Sequence, residues 1–121
     1  MKHILMIEDD VSLHELYKEA FVKEGIDFSV AMTGKEALEA IAKNIPDLVM
    51  IDIMLPGGLN GFDVAQQIKQ NPKTSHIPFI ILTNLDSEKE SANAVGAVDY
   101  IVKTNTPLDA VITKIKSILG V

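Results

Sequence analysis

The run ILMIEDD, from Ile4 to Asp10, decides the fold, because four consecutive apolar residues end abruptly in three carboxylates. An apolar run without alternation is typical of a parallel strand that helices cover on both faces. Residues that follow such a strand lie at its carboxyl end, where open α/β sheets bind their ligands. The run therefore predicts a buried strand with a polar site at its end.

Four further segments predict strands, and helical patterns separate them. Continuous apolar runs span Leu48 to Ile51, Phe79 to Leu82 and Tyr100 to Val102. The segment Ile26 to Ala31 alternates instead, which suits a position near the sheet edge. Strand followed by helix, five times over, predicts an α/β fold with one doubly wound, five-stranded parallel sheet flanked by five helices.

Apolar spacing and capping residues predict the helices. Helix one ends at Gly25 and has an apolar stripe made of Leu13, Leu16, Tyr17, Ala20 and Phe21. Helix three is predicted after a loop from Leu55 to Gly61 and ends at Asn71-Pro72; its apolar residues are Phe62, Val64, Ala65 and Ile68. Three signals mark where the other helices begin: capping boxes at Thr33–Glu36 and Ser87–Glu90, and a Thr106 cap followed by Pro107 as the first helical residue. Helix four has so few apolar residues that we expect it to be weakly anchored.

Composition excludes several classes of function. The chain has the length of one domain, 1–121. Its net charge of -6 opposes binding to nucleic acid or to anionic membranes, which requires a basic patch. The absence of cysteine excludes disulfides and thiolate metal sites, and no apolar stretch approaches the roughly 20 residues of a membrane span. We expect a cytoplasmic protein that binds cations or other proteins.

Unusual polar residues follow the predicted strands at one edge of the sheet: Glu8 and Asp9 after strand one, Asp52 after strand three, Thr83 after strand four and Lys103 after strand five. Three crowded carboxylates resist ionisation unless a cation neutralises them, and oxygen ligands favour Mg²⁺. A carboxylate beside Mg²⁺ can attack phosphorus while a lysine and a hydroxyl neutralise the transferred oxygens. This pattern predicts a phosphoryl acceptor.

Each of these residues also has an ordinary structural interpretation. The acidic run that ends at Asp10 could be a solvated turn that caps helix one. Asp52 could cap a loop, Thr83 could be a strand residue and Lys103 a surface charge. Their joint placement favours the functional interpretation. The histidines His3, His14 and His76 show no ligand spacing, and His14 falls off the apolar stripe of helix one, so no role is predicted for them.

Four stretches together resemble the receiver domains of two-component response regulators, and they cover essentially the whole chain. They are ILMIEDD (Ile4 to Asp10), MIDIMLP (Met50 to Pro56), IILT (Ile80 to Thr83) and GAVDYIVK (Gly96 to Lys103). The resemblance, closest to single-domain chemotaxis-type regulators, implies a flavodoxin-like sheet with strand order 2-1-3-4-5. It also implies a signalling domain rather than an enzyme.

The resemblance implies particular chemistry at Asp52. A histidine kinase or a histidine phosphotransfer protein would donate a phosphoryl group to Asp52 and form an aspartylphosphate. Mg²⁺ would be bound by Glu8, Asp9, Asp52 and the main-chain carbonyl of Met54, with Asp10 outside the acidic pair. Lys103 would contact the phosphoryl group.

The resemblance further implies a switch. Thr83 would turn toward the phosphoryl group, and Tyr100 would swing inward as space opens behind Thr83. The output surface would be the face of helix four, strand five and helix five, which would bind a downstream protein and could form a phosphorylation-dependent homodimer. Thin apolar anchoring of helix four suits that role.

Three positions depart from the family pattern. Thr104 follows Lys103 where proline is common, so a cis peptide bond there is not assured. Asn84 follows Thr83 where a small residue is common and could narrow access to Asp52. The loop that contains Gly57 and Gly58 is one residue longer than usual.

Three other functions remain open from sequence. An aspartyl-phosphate phosphatase or phosphotransferase would need a second acid where Met54 stands. A flavin- or nucleotide-binding domain would need a phosphate-binding loop after strand one, where the acidic run repels phosphate. A degenerate receiver could act only as a protein-binding scaffold.

Overall fold

The computed structural model describes residues 1–121 and contains five strands: β1 (His3–Ile7), β2 (Asp27–Ala31), β3 (Leu48–Ile51), β4 (Phe79–Thr83) and β5 (Asp99–Val102). All pair in parallel, in the order β2-β1-β3-β4-β5. This order confirms the predicted topology. The alternating strand β2 lies at an edge, as its pattern predicted.

Five α-helices connect and flank the strands: α1 (Val11–Lys23), α2 (Gly34–Lys43), α3 (Gly61–Gln70), α4 (Lys89–Ala94) and α5 (Leu108–Leu119). A 3₁₀ turn at Lys103–Asn105 follows β5. Helices α1 and α5 pack on one face of the sheet, and the other three pack on the opposite face. None of these helices has the length and apolar character needed to span a membrane.

Alternate residues of each central strand enter two separate cores. In β1, Ile4 and Met6 join the core beneath α1 and α5, whereas Leu5 and Ile7 join the core beneath α2 and α3. Both faces are therefore buried, which requires apolar side chains at successive positions. This double burial explains the unbroken apolar runs of the sequence.

The buried face of α1 differs from the predicted stripe. Leu16 is 46% exposed, whereas His14 is only 7% exposed and lies with Tyr17 and Phe21 on the inward side. The prediction that His14 falls off the buried stripe is wrong. The polar side chain of His14 is tolerated at this buried position because its ring forms a hydrogen bond with the main-chain carbonyl of Glu8.

The predicted N-terminal cap of α2 is present, although its box is incomplete. Thr33 Oγ1 accepts from the Glu36 main-chain nitrogen at 3.1 Å, but the Glu36 carboxylate accepts from Met32 rather than from Thr33. A complete capping box begins α3, where Asn60 and Asp63 each accept from the main chain of the other at 2.9 Å. The sequence did not lead us to predict the box at α3.

The caps predicted for α4 and α5 are wrong. Helix α4 begins after Glu88 with no side-chain cap, so Ser87 and Glu90 form no capping box. Helix α5 begins at Leu108 with Pro107 as its N-cap, one residue later than predicted. The weak anchoring of α4 is confirmed, since Ala92 is its only buried residue in six.

Candidate functional site

Parallel pairing brings the acidic residues together at one edge of the sheet. Ile7 and Ile51 are register partners, so the residues that follow them, Glu8 and Asp52, leave the sheet side by side. The Asp52 main-chain nitrogen donates to the Ile7 carbonyl at 3.0 Å and extends that register by one bond. The register thus sets the spacing of the two carboxylates.

Glu8, Asp9 and Asp52 form a cluster in which one carboxylate oxygen from each residue lies within 4.8 Å of the others. Glu8 and Asp52 are 2% and 8% exposed, and Asp9 is exposed. Asp10 stands outside the cluster, since its Oδ1 caps α1 by accepting from Ser12 at 2.9 Å. An oxygen-only set with an open side fits a hard divalent cation such as Mg²⁺.

Lys103 bridges the two buried carboxylates. Its Nζ donates to Glu8 Oε1 and to Asp52 Oδ2, the latter at 3.0 Å, and its side chain is 12% exposed. Burial lowers the pKa of Lys103, but the hydrogen bonds to Glu8 and Asp52 outweigh burial and raise this pKa overall. Lys103 is therefore charged at neutral pH.

The cluster of Glu8, Asp9 and Asp52 keeps excess negative charge despite Lys103. Burial raises the pKa of the Glu8 carboxyl, and the nearby Asp52 charge raises it further, against the lowering effect of Lys103. A single ammonium group neutralises at most one of the three carboxylates, so a cation bound at the cluster would relieve their mutual repulsion. The electrostatics and the donor set thus both fit a bound cation.

Gly61, the first residue of α3, allows the helix to approach the main chain of Asp52. A Cβ at Gly61 would lie 2.2 Å from the Asp52 carbonyl oxygen, and the Gly61 nitrogen donates to the Ile53 carbonyl at 2.8 Å. Only glycine fits such a contact. The prediction that Gly61 belongs to the loop before helix three is wrong; its position directly after Asn60, a good capping residue, was the available signal.

Thr83 and Tyr100 both bond to the loop between β4 and α4. The buried Thr83 Oγ1 accepts from the Leu85 nitrogen at 3.4 Å and makes no hydrogen bond to Asp52 or Lys103. The half-buried Tyr100 hydroxyl donates to the Leu85 carbonyl and accepts from the Glu88 nitrogen at 3.3 Å. Leu85 therefore links the end of β4 to β5.

Two further residues complete the surroundings of the cluster. The main-chain nitrogen of Met54 donates to Asp52 Oδ1 at a long 3.4 Å, and the Met54 side chain is 65% exposed. Burial raises the pKa of the Tyr17 phenol, although the nearby Lys103 charge acts in the opposite direction.

The peptide bond between Lys103 and Thr104 is trans, like every other in the chain.

A family model described as the response regulator receiver domain matches residues 4–116. Among curated proteins, the response regulator PleD of Caulobacter vibrioides is 34% identical over 110 residues, which are 89% of this chain and 23% of PleD. The chain spans half or less of the length of such curated relatives.

Solved structures with this fold include receiver domains. The BeF₃-activated N-terminal receiver domain of RstA from Klebsiella pneumoniae superposes with a TM-score of 0.87 at 33% identity, covering 98% of each chain. TrrA from Thermotoga maritima, in complex with Mg²⁺ and BeF, superposes with a TM-score of 0.86 at 32% identity, covering 98% of this chain and 99% of that one.

Proposed function

The chain belongs to the response regulator receiver domain family, a family of signalling domains of two-component systems, and from that membership we propose that Asp52 accepts a phosphoryl group. One observation carries this proposal: Asp52 is a buried member of the acidic cluster and accepts a hydrogen bond from the ammonium group of Lys103 at 3.0 Å. A carboxylate so placed is a nucleophile with charge compensation already in position.

In the proposed reaction, a carboxylate oxygen of Asp52 attacks the phosphorus of a phosphohistidine on a histidine kinase or histidine phosphotransfer protein. The phosphorus–nitrogen bond breaks, and its electron pair returns to the donor imidazole, which takes up a proton. The product is an acyl phosphate on Asp52. Lys103 neutralises charge on the transferred oxygens, and the Thr83 hydroxyl donates to one of them after leaving Leu85.

Glu8, Asp9 and Asp52, together with the main-chain carbonyl of Met54, are the residues proposed to hold Mg²⁺. The bound ion would supply positive charge that offsets the repulsion between the carboxylates and the incoming phosphoryl oxygens. The oxygen-only donor set of the cluster and its excess negative charge support this assignment. TrrA, which was solved in complex with Mg²⁺ and BeF, supports it as well.

Signal output is proposed to run through the β4–α4 loop. If Thr83 turns toward the phosphoryl group, it releases the Leu85 nitrogen, and Leu85 also accepts from Tyr100. Movement of Tyr100 would then reshape the face of α4, β5 and α5 for a protein partner, with the phosphoryl group supplying the differential contacts. The short α4, with one buried residue, offers little resistance to such a change.

Intact mass after incubation with acetyl phosphate tests the phosphoacceptor. We expect one added phosphate in Mg²⁺, none in EDTA, and none for Asp52→Asn. Asp10→Asn is the matched control: asparagine caps a helix as well as aspartate does, and Asp10 lies outside the cluster. Equal labelling of Asp52→Asn and the wild-type chain would refute the assignment of Asp52.

A further inference from the structure

His14 is a buried histidine that the proposed phosphoryl chemistry does not use. Its Nε2 forms a hydrogen bond with the main-chain carbonyl oxygen of Glu8. A carbonyl oxygen can only accept, so Nε2 carries a proton and donates it. We propose that His14 is a positioning residue for the cation site, an inference that rests on the Mg²⁺ site proposed above.

The bond acts through a single peptide plane. The Glu8 carbonyl and the Asp9 N–H belong to the same rigid unit and point in opposite directions. His14 holds the carbonyl end, while the Asp9 N–H donates to Glu8 Oε2 at 3.0 Å. Fixing the carbonyl therefore fixes the N–H, and the N–H orients the Glu8 carboxylate within the cluster.

The Glu8 carbonyl needs His14 as its hydrogen-bond donor because Glu8 lies beyond the end of β1, where no neighbouring strand donates to it. The Glu8 nitrogen still donates to Ala31 at 3.0 Å, but the last register pair of β1 and β3 is Ile7 with Ile51. No other side chain donates to the Glu8 carbonyl, and Glu8 is 2% exposed. An unpaired buried carbonyl would rotate toward water or another donor and carry the peptide plane with it.

Helix α1 gives His14 a rigid support. His14 lies in the first turn, and helical side chains lean toward the N-terminus, so the ring reaches back six residues to Glu8. Asp10 caps this helix, and Tyr17 and Phe21 anchor the same face in the core. A ring held in this way can set the orientation of the peptide beneath it.

The matched variants are His14→Met and His14→Gln. Both residues are unbranched, similar in length and good helix formers, but only glutamine offers an N–H where the ring nitrogen stood. Loss of a residue that orients a metal ligand typically weakens metal binding about 10- to 100-fold. We expect His14→Met to bind Mg²⁺ about tenfold more weakly than the wild-type chain, and His14→Gln to recover most of that loss.

Mg²⁺ binding is measured by isothermal titration calorimetry, and the fold of each variant is checked by thermal melting in EDTA. His3→Leu is the control, because His3 Nε2 contacts Ser29 at 2.8 Å at the opposite end of β1; it should bind Mg²⁺ like the wild-type chain. If His14→Met does not fold, His14→Leu replaces it.

Three outcomes would overturn the inference: unchanged Mg²⁺ affinity in the donor-free variant, a glutamine variant as weak as the methionine variant, or an equal loss in His3→Leu. Absence of Mg²⁺ binding by the wild-type chain would overturn the proposed metal site, and this inference with it. Normal binding by both the wild-type chain and His14→Met would overturn the inference alone.

Discussion

Replacing Gly61 with alanine should damage both the fold and the site. The added Cβ would lie 2.2 Å from the Asp52 carbonyl oxygen and 2.9 Å from the Ile53 Cα, both of them main-chain atoms. Because a Cβ essentially never lies closer than 3.0 Å to another heavy atom, this 2.2 Å separation must widen, and the helix or the Asp52 segment must move. Overpacking of this kind costs about 1–3 kcal/mol, and the higher helix propensity of alanine returns about 1 kcal/mol at most.

Site geometry should suffer more than stability in Gly61→Ala. A displacement of about 1 Å at a reacting group can slow a reaction about 100-fold, so we expect phosphorylation of Asp52 by acetyl phosphate to slow by about that factor. Urea unfolding measures the stability change, and the initial rate of mass gain measures the reaction. An unchanged phosphorylation rate in Gly61→Ala would refute the reasoning.

Gly34→Ala is the matched control for Gly61→Ala, since each glycine is the first residue of its helix. A Cβ at Gly34 would lie 2.8 Å from side-chain atoms of Leu59 and Val64, not from the main chain of Asp52. We expect this variant to lose stability without a comparable loss of phosphorylation rate. Equal loss of rate in both variants would show that loop packing, not the Asp52 contact, is responsible.

Three further outcomes are expected. Lys103→Met leaves Glu8 and Asp52 buried without their cation, so the free energy of unfolding in EDTA should fall by about 3 kcal/mol. Mg²⁺ should then raise the melting temperature of this variant more than that of the wild-type chain. Identical melting temperatures in EDTA would contradict this prediction. Tyr100→Phe loses two hydrogen bonds to the β4–α4 loop, so the free energy of unfolding should fall by about 1 kcal/mol and amide exchange in that loop should accelerate. Unchanged amide exchange would argue against a link between Tyr100 and this loop. Burial raises the pKa of Tyr17 above its ordinary value of 10.0, so the contribution of the neutral phenol to stability is complete below pH 10.0 and is lost as pH rises through the raised pKa. Above about pH 10, the melting temperature of the wild-type chain should therefore fall more steeply than that of Tyr17→Phe. Parallel curves of melting temperature against pH would refute this prediction.

Strand positions could be predicted because their signal is local. Burial on both faces demands an apolar residue at every position, which is visible as the runs at β1, β3 and β4. Helix caps were less predictable, because the Ser87-x-x-Glu90 pattern forms no capping box, whereas Asn60-x-x-Asp63 forms a complete one. At α4 the main chain enters the helix one residue later, after Glu88, without a side-chain cap.

By itself, the sequence determined which residues form strands, that these strands are parallel, and that Glu8, Asp9, Asp52 and Lys103 follow them at one edge. Three contacts were decided by the tertiary structure alone. Lys103 donates a hydrogen bond to Glu8, which is 95 positions away in sequence, Gly61 lies against the main chain of Asp52, and His14 points inward to the Glu8 carbonyl. The physical reason is the separation in sequence between the residues that interact. Periodicity within a strand records burial locally, whereas a contact between distant segments exists only once register and helix packing have brought its two partners together.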